Sequence, residues 1–307
     1  MKHTVKITWI LVFIFLAAQI MGLFIINSYI DYGATGEKGV VVVRNLPYGM
    51  ERPPIEQESS FLLFMMSAIF IGTFLLLMLI KLRKVFIWKI WYFTAVVLCL
   101  AIAFSAFINS TIAFLLALVL SIFKVFKPSL LIHNMTEIFV YGGIAAIFVL
   151  IPAVNVMVGF GLLILISLYD MYAVWKSKHM IKLAKFTNES KTFAGLSIPY
   201  KLEKAKGKKT SKKGKGVLVR GERKVAVLGG GDIAFPLIFA GAVMKDLMLT
   251  NSIIVGFMKT LIIPLFVTVA LFLLFVKGKK DKFYPAMPYL SAGCFVGYFF
   301  VWLSSFI

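Results

Sequence analysis

Apolar runs of about twenty residues recur nine times along this 307-residue chain, and they constrain its fold more than any other feature. A helix rising ~1.5 Å per residue needs about twenty residues to cross a ~30 Å hydrocarbon slab, and a water-soluble domain cannot bury nine such runs. The runs fall at 7–29, 60–80, 87–107, 110–126, 138–154, 156–175, 228–246, 252–276 and 285–306. With 61% hydrophobic and 15% charged residues, the chain is expected to be an all-α membrane protein, a polytopic bundle of nine transmembrane helices. The first run is longer than a signal-peptide core and lacks a small-residue cleavage site, so it is expected to be a retained span. Cys99 and Cys294 lie inside apolar runs as small hydrophobes and say nothing of redox compartment.

The net charge of +20 raises a nucleic-acid reading, which the positions of the charges argue against. Of 33 Lys and Arg residues, 16 lie in 176–224, a stretch without the interleaved aromatics that single-strand binding uses. With the N-terminus inside, the inner segments collect 28 of the basic residues and the outer ones 5. That asymmetry orients a multi-pass protein of the cell membrane, with the 176–224 loop cytoplasmic and the C-terminus outside. Three parts follow: a six-span part, 1–175; the basic loop 176–224; and a three-span part, 225–307. Residues 185–224, with EKAKGKKTSKKGKG, are too poor in apolar side chains to fold alone and are expected to lie unfolded near anionic headgroups. The outer loop 31–59 is read as a connection with a short strand near Val40–Val43.

Most of the thirteen acids sit in loops or at the ends of these runs, and Asp170 and Asp232 are read as the two that do not. Asp170 comes six residues before Lys176, about 9 Å of helix, and Asp232 follows Lys224 by eight residues, about 12 Å if helical. Two separate spans thus carry carboxylates to a similar level near the inner face. Such a pair shares one proton, so one group can take a proton from water while the other donates to a scissile carbonyl. The three histidines, His3, His133 and His179, are scattered, so neither a metal nor any other cofactor is implied. Alternatively, each aspartate separately caps a broken helix or pairs with a lysine.

Gly229, Gly230 and Gly231 precede Asp232 and would allow unusual dihedrals and the close approach of another backbone; helix packing is their plainer explanation. Pro236 is expected to bend the helix beyond the aspartate. In KFYPAMPYLSAG, Pro285 and Pro288 flank Ala286 and Met287, bringing non-helical backbone near the aspartates' level. Val225, Ala226 and Val227 either form an extended edge to which an unwound substrate adds as a strand, or merely begin the seventh span.

Together, Tyr169-Asp170, Gly229-Gly230-Gly231-Asp232 and Pro285-Ala286-Met287 resemble the motifs of the presenilin and signal peptide peptidase family of intramembrane aspartyl proteases. Order, spacing and nine-span layout agree over nearly the whole chain, and the stretch from Tyr169 through Met180 is most similar to the archaeal-type homologues. Prepilin peptidases share the Gly-x-Gly-Asp pattern but lack the proline motif. The resemblance implies a presenilin-like fold and Asp170 and Asp232 as the catalytic pair. It further implies that Pro285, Ala286 and Met287 help seat a transmembrane substrate, with Tyr169, the glycines and 225–227 beside it. Gly230 and Met287 depart from the usual larger residue and Leu, which bears on substrate fit. Accessory subunits are not implied, and a homo-oligomer is compatible with the sequence. The rival class is a proton-coupled transporter or cation leak, in which Lys259 would pair with Asp246 or relay charge instead of snorkelling outward.

Overall fold

A computed structural model of the chain describes residues 5–38, 40–177, 192–201, 223–278 and 284–304, together with 183, 186, 187 and 190. Among the described residues each of the nine apolar runs is helical, seven of them long enough to cross a membrane and two, 110–126 and 287–303, shorter. They are α1 (Val5–Ser28), α3 (Glu58–Lys81), α4 (Val85–Ser105), α5 (Ser110–Phe126), α6 (Leu130–Phe148), α7 (Val156–Met171), α8 (Gly230–Thr250), the broken pair α9 (Ile253–Thr260) and α10 (Ile262–Lys277), and α11 (Met287–Leu303). A short helix α2 (Tyr32–Lys38) follows a two-residue strand β1 (Ile30–Asp31), which pairs with β2 (Val42–Val43) where the outer loop was expected to be extended. The starts of α5, α6 and α7 are set by Asn109, Ser129 and Asn155, whose side chains accept from backbone N–H groups two or three residues on. The α9/α10 break falls one turn before Pro264, which has no N–H to offer the carbonyl of Thr260.

Eight spans begin and end within a few residues of their apolar runs; the fifth does not. It begins at Leu130, eight residues before the expected 138, because His133, Asn134 and Glu137 dilute the hydropathy of a stretch that is nonetheless helical and internally satisfied. Glu137 is therefore inside a span and 1% exposed, which corrects the reading of Asp170 and Asp232 as the sole acids within the apolar runs.

α8 is the hub, packing against α1, α6, α7, α9, α10 and α11. Of its most apolar window 72% is buried, against 11% for α3, which leans on α4 and α7 at the periphery. Small residues let α1 and α8 approach reciprocally: Leu237 sits over Gly22, and Ile26 over Gly241. The helix runs on through Pro236, which is buried inside it. Phe160 of α7 packs edge to face on Phe239 of α8 at 5.1 Å and against Phe295 of α11 at 5.0 Å, joining the three helices.

Inside the segment expected to be unfolded lies a strand, β3 (Gly195–Lys201), paired antiparallel with β4 (Arg223–Gly229) from Gly195↔Gly229 to Lys201↔Arg223. That expectation is corrected for these residues, because their bonding partners come from elsewhere in the chain. Asn134 and Ser197 exchange two hydrogen bonds of 2.9 and 3.0 Å, and Tyr92 and Trp88 hold Phe193 and Thr192. The lysine-rich stretch 202–222 lies outside the described residues.

Candidate active site

Asp170 is positioned by the last turn of α7, which continues through a single π-helical turn at Tyr172–Lys176. The residue is 8% exposed, and Oδ2 accepts a hydrogen bond of 3.1 Å from the N–H of Met287. Met287 is the first residue of α11. Its N–H is one of the orphan donors of a helix start, and the positive end of the helix dipole favours a carboxylate there. The proline motif creates this arrangement: residues 284–286 are not helical, and Pro288 falls in the first turn of α11. One turn deeper the hydroxyls of Ser167 and Ser291 meet at 2.8 Å, so α7 and α11 are pinned together on either side of the carboxylate. The expected approach of non-helical backbone to Asp170 is thus a direct bond from its end.

Asp232 stands in the first turn of α8, partly exposed, with Gly229 as the N-cap in extended conformation. A side chain at 229 would crowd it, since an added Cβ would lie 3.3 Å from Asp232 Oδ2. Gly230 is more constrained: a Cβ there would meet the Tyr141 hydroxyl at 2.7 Å. None of the three glycines adopts a positive φ, so they serve close approach and not unusual dihedrals. The backbone that approaches is 194–195, with Gly230 N–H donating to the Ala194 carbonyl at 3.1 Å. Gln19 of α1, wholly buried, donates to the carbonyl of Ile233 at 2.8 Å and holds the same turn from the other side.

The remaining sequence-predicted residues divide. Val225, Ala226 and Val227 are extended, as the strand reading expects, and alternate between exposed, buried and half-buried; one edge of β4 is already taken by β3. Pro285 and Ala286 sit beside Met287 at the mouth of α11. Tyr169 turns toward α3, where its hydroxyl meets Thr73 Oγ1 at 3.1 Å and its ring packs edge to face on Phe70 at 5.4 Å. Lys259 reaches Asn251 Oδ1 at 3.4 Å, at the turn between α8 and α9. Sequence reasoning misses Glu137, Tyr141 and β3; the alternation in Leu196-Ser197-Ile198 was the available signal for the strand.

The sequence model of the family described as signal-peptide peptidase, presenilin aspartyl protease matches residues 41–307. No curated protein matches. Among solved structures, a presenilin family intramembrane aspartate protease in space group C222 is 16% identical with a TM-score of 0.59, covering 95% of this chain and 97% of that one. The P2 form of a presenilin family intramembrane aspartate protease gives 15% identity and a TM-score of 0.58, covering 95% of each chain. At this identity the structures speak for the fold, a presenilin-like multi-pass membrane bundle, while the sequence match speaks for the chemistry. This chain belongs to the signal-peptide peptidase and presenilin family of intramembrane aspartic endopeptidases.

Proposed function

We propose that the protein hydrolyses peptide bonds of membrane-spanning helical substrates within the bilayer, using Asp170 and Asp232 as a proton-sharing pair around one water. The observation that carries this reading is the bond from the Met287 N–H to Asp170. It ties the first aspartate to the proline motif, which a carrier would not require. The contact of Phe239 in α8 with Gly159 in α7 supports it further: with the two spans running in opposite directions, as the charge asymmetry expects, Asp170 and Asp232 lie 11 and 7 residues inward of that contact, an offset of four residues or about 6 Å of helix.

In the reaction the ionised aspartate takes a proton from the water as it attacks the scissile carbonyl carbon. The protonated aspartate donates to the carbonyl oxygen, giving a neutral gem-diol. Collapse of that diol breaks the C–N bond, with a proton delivered to the departing amine. The Met287 N–H fixes the Asp170 carboxylate, leaving its other oxygen for the water.

A helical substrate must first unwind, which orphans amides at several kcal/mol each in lipid. The edge of β4 not taken by β3 offers backbone partners at Val225–Val227, and Pro285, Ala286 and Met287 flank the opened chain. Gly229, Gly230 and Gly231 leave room for it beside Asp232, and Tyr169, packed on α3, borders the site next to Asp170. The basic segments lie inside, the side on which anionic headgroups favour them. No cofactor takes part.

The test is the purified chain in liposomes with a generic single-span substrate, fragments being identified by mass spectrometry. Asp170→Asn and Asp232→Asn each abolish cleavage while the protein remains folded, since at position 170 the amide oxygen that replaces the carboxylate can still accept from the Met287 N–H. A transition-state analogue of aspartic proteases inhibits the wild type. Substantial cleavage by either variant overturns the shared-proton mechanism, and proton or cation flux lost with the aspartates in an enzyme that never cleaves would favour the carrier.

A further inference from the structure

The reaction uses two aspartates and leaves a buried glutamate unexplained. Glu137 of α6 and Lys124 at the end of α5 are each 1% exposed, and Lys124 Nζ meets Glu137 Oε1 at 2.5 Å while also donating to Thr136 Oγ1 at 3.0 Å. Taking two charges out of water is an expensive way to join two helices, and well-packed apolar side chains do it as well or better. The second oxygen supplies the reason for a carboxylate: Oε2 accepts from the Tyr141 hydroxyl and, at 3.1 Å, from the N–H of Gly195.

Both of those donors bear on the segment that carries Asp232. Gly195 opens β3 opposite Gly229, at φ +141°, where a Cβ would lie 2.1 Å from the Leu228 carbonyl oxygen and 3.1 Å from Gly230 N. Its neighbour Ala194 accepts the Gly230 N–H. Tyr141 presses its hydroxyl against Gly230 from the α6 side and lies within electrostatic reach of Asp232. Gly230 is thus gripped through its amide and across its Cα, and both grips lead back to one carboxylate. Asp232 follows two residues later.

The geometry points to Glu137 as a positioning residue for Asp232, with Lys124 holding its carboxylate in place. This rests on the protease reading, in which the second aspartate must hold its place while a substrate strand pulls on β4. Glu137 does not touch the reacting atoms. Separate bonds keep β3 on α6 without it, namely His133 Nε2 with the Gly195 carbonyl at 2.8 Å and the Asn134–Ser197 pair. Removing the charge therefore loosens the Gly195–Gly230 corner and leaves the rest of the sheet attached.

The experiment compares wild type, Glu137→Gln, the double variant Lys124→Met with Glu137→Gln, Tyr141→Phe and Asp232→Asn, as full chains in liposomes with a single-span substrate. Hydrogen–deuterium exchange is followed on the same samples. Glu137→Gln is expected to lower kcat at least tenfold with KM within twofold, and to speed exchange in peptides covering 194–200 and 226–231 while other spans stay protected. The double variant, with no orphaned charge, regains thermal stability but not kcat. A purely structural pair would instead lower the unfolding midpoint, raise exchange throughout and leave kcat per folded molecule unchanged; that result overturns the inference. If Glu137→Gln does not fold, Tyr141→Phe decides, with a two- to fivefold loss of kcat at constant KM expected and an unchanged kcat fatal. Cleavage retained by Asp232→Asn would sink the protease reading separately, and the exchange pattern would still show whether Glu137 holds the corner.

Discussion

Gly230 concentrates the local physics of the site. The position is helical with ordinary dihedrals, so the reason for glycine is the Tyr141 hydroxyl 2.7 Å from where a Cβ would stand. A tyrosine tip ordinarily swings aside, but this one donates to Glu137, which is itself locked by Lys124. Gly230→Ala should therefore behave as overpacking of a rigid site and destabilise the protein by about 1–3 kcal/mol. Thermal unfolding in detergent measures it, and pairing it with Tyr141→Phe should recover part of the loss. No change in the midpoint would mean the tyrosine yields freely. The motifs made Asp170, Asp232 and Pro285–Met287 stand out as candidate site residues because each interrupts an apolar run. Glu137 stayed hidden because polar neighbours made it look like a span end, and its partner Gly195 lies 58 residues on.

Among the elements, α3 is the one least committed to the bundle. It meets α7 through Thr73 and Phe70 on Tyr169, Leu62 over Gly161 and Glu58 on Asn155, a sparse line of contacts beside the turn that carries Asp170. Such a seam can part at little cost and admit a substrate helix from the lipid. Cysteines at Thr73 and Tyr169, in a background with Cys99 and Cys294 replaced by alanine, can be joined by a short reagent. The cross-linked enzyme should lose at least tenfold in kcat/KM, regain it on reduction, and still bind a small transition-state analogue. Unchanged cleavage would place the substrate's path on another face. Hydropathy located the spans because lipid-facing and protein-facing surfaces are equally apolar, so it carries no information on which span is loose. It also misjudged α6 and overlooked β3 for one reason: the polar residues of each are satisfied by the other, some sixty residues away in sequence.

For the whole molecule, charge and architecture agree on which end does the work. The segments carrying most of the basic residues are the ones that adjoin Asp170, the β3–β4 sheet and the start of α11. Asp170 lies six residues before Lys176, about 9 Å along the helix, so the proposed mechanism and orientation predict a scissile bond in the inner third of a ~30 Å slab. A substrate whose span is shifted outward by three or four residues should be cut three or four residues nearer its own inner flank, because the enzyme measures depth from the membrane and not from the substrate's sequence. Mass spectrometry of fragments from a register series of single-span substrates reads this directly. Cuts that keep to one sequence position across the series would make side-chain recognition the ruler. Cuts clustered at the outer end would reverse the topology, since the aspartates and the basic segments beside them would then lie on the outer side of the membrane.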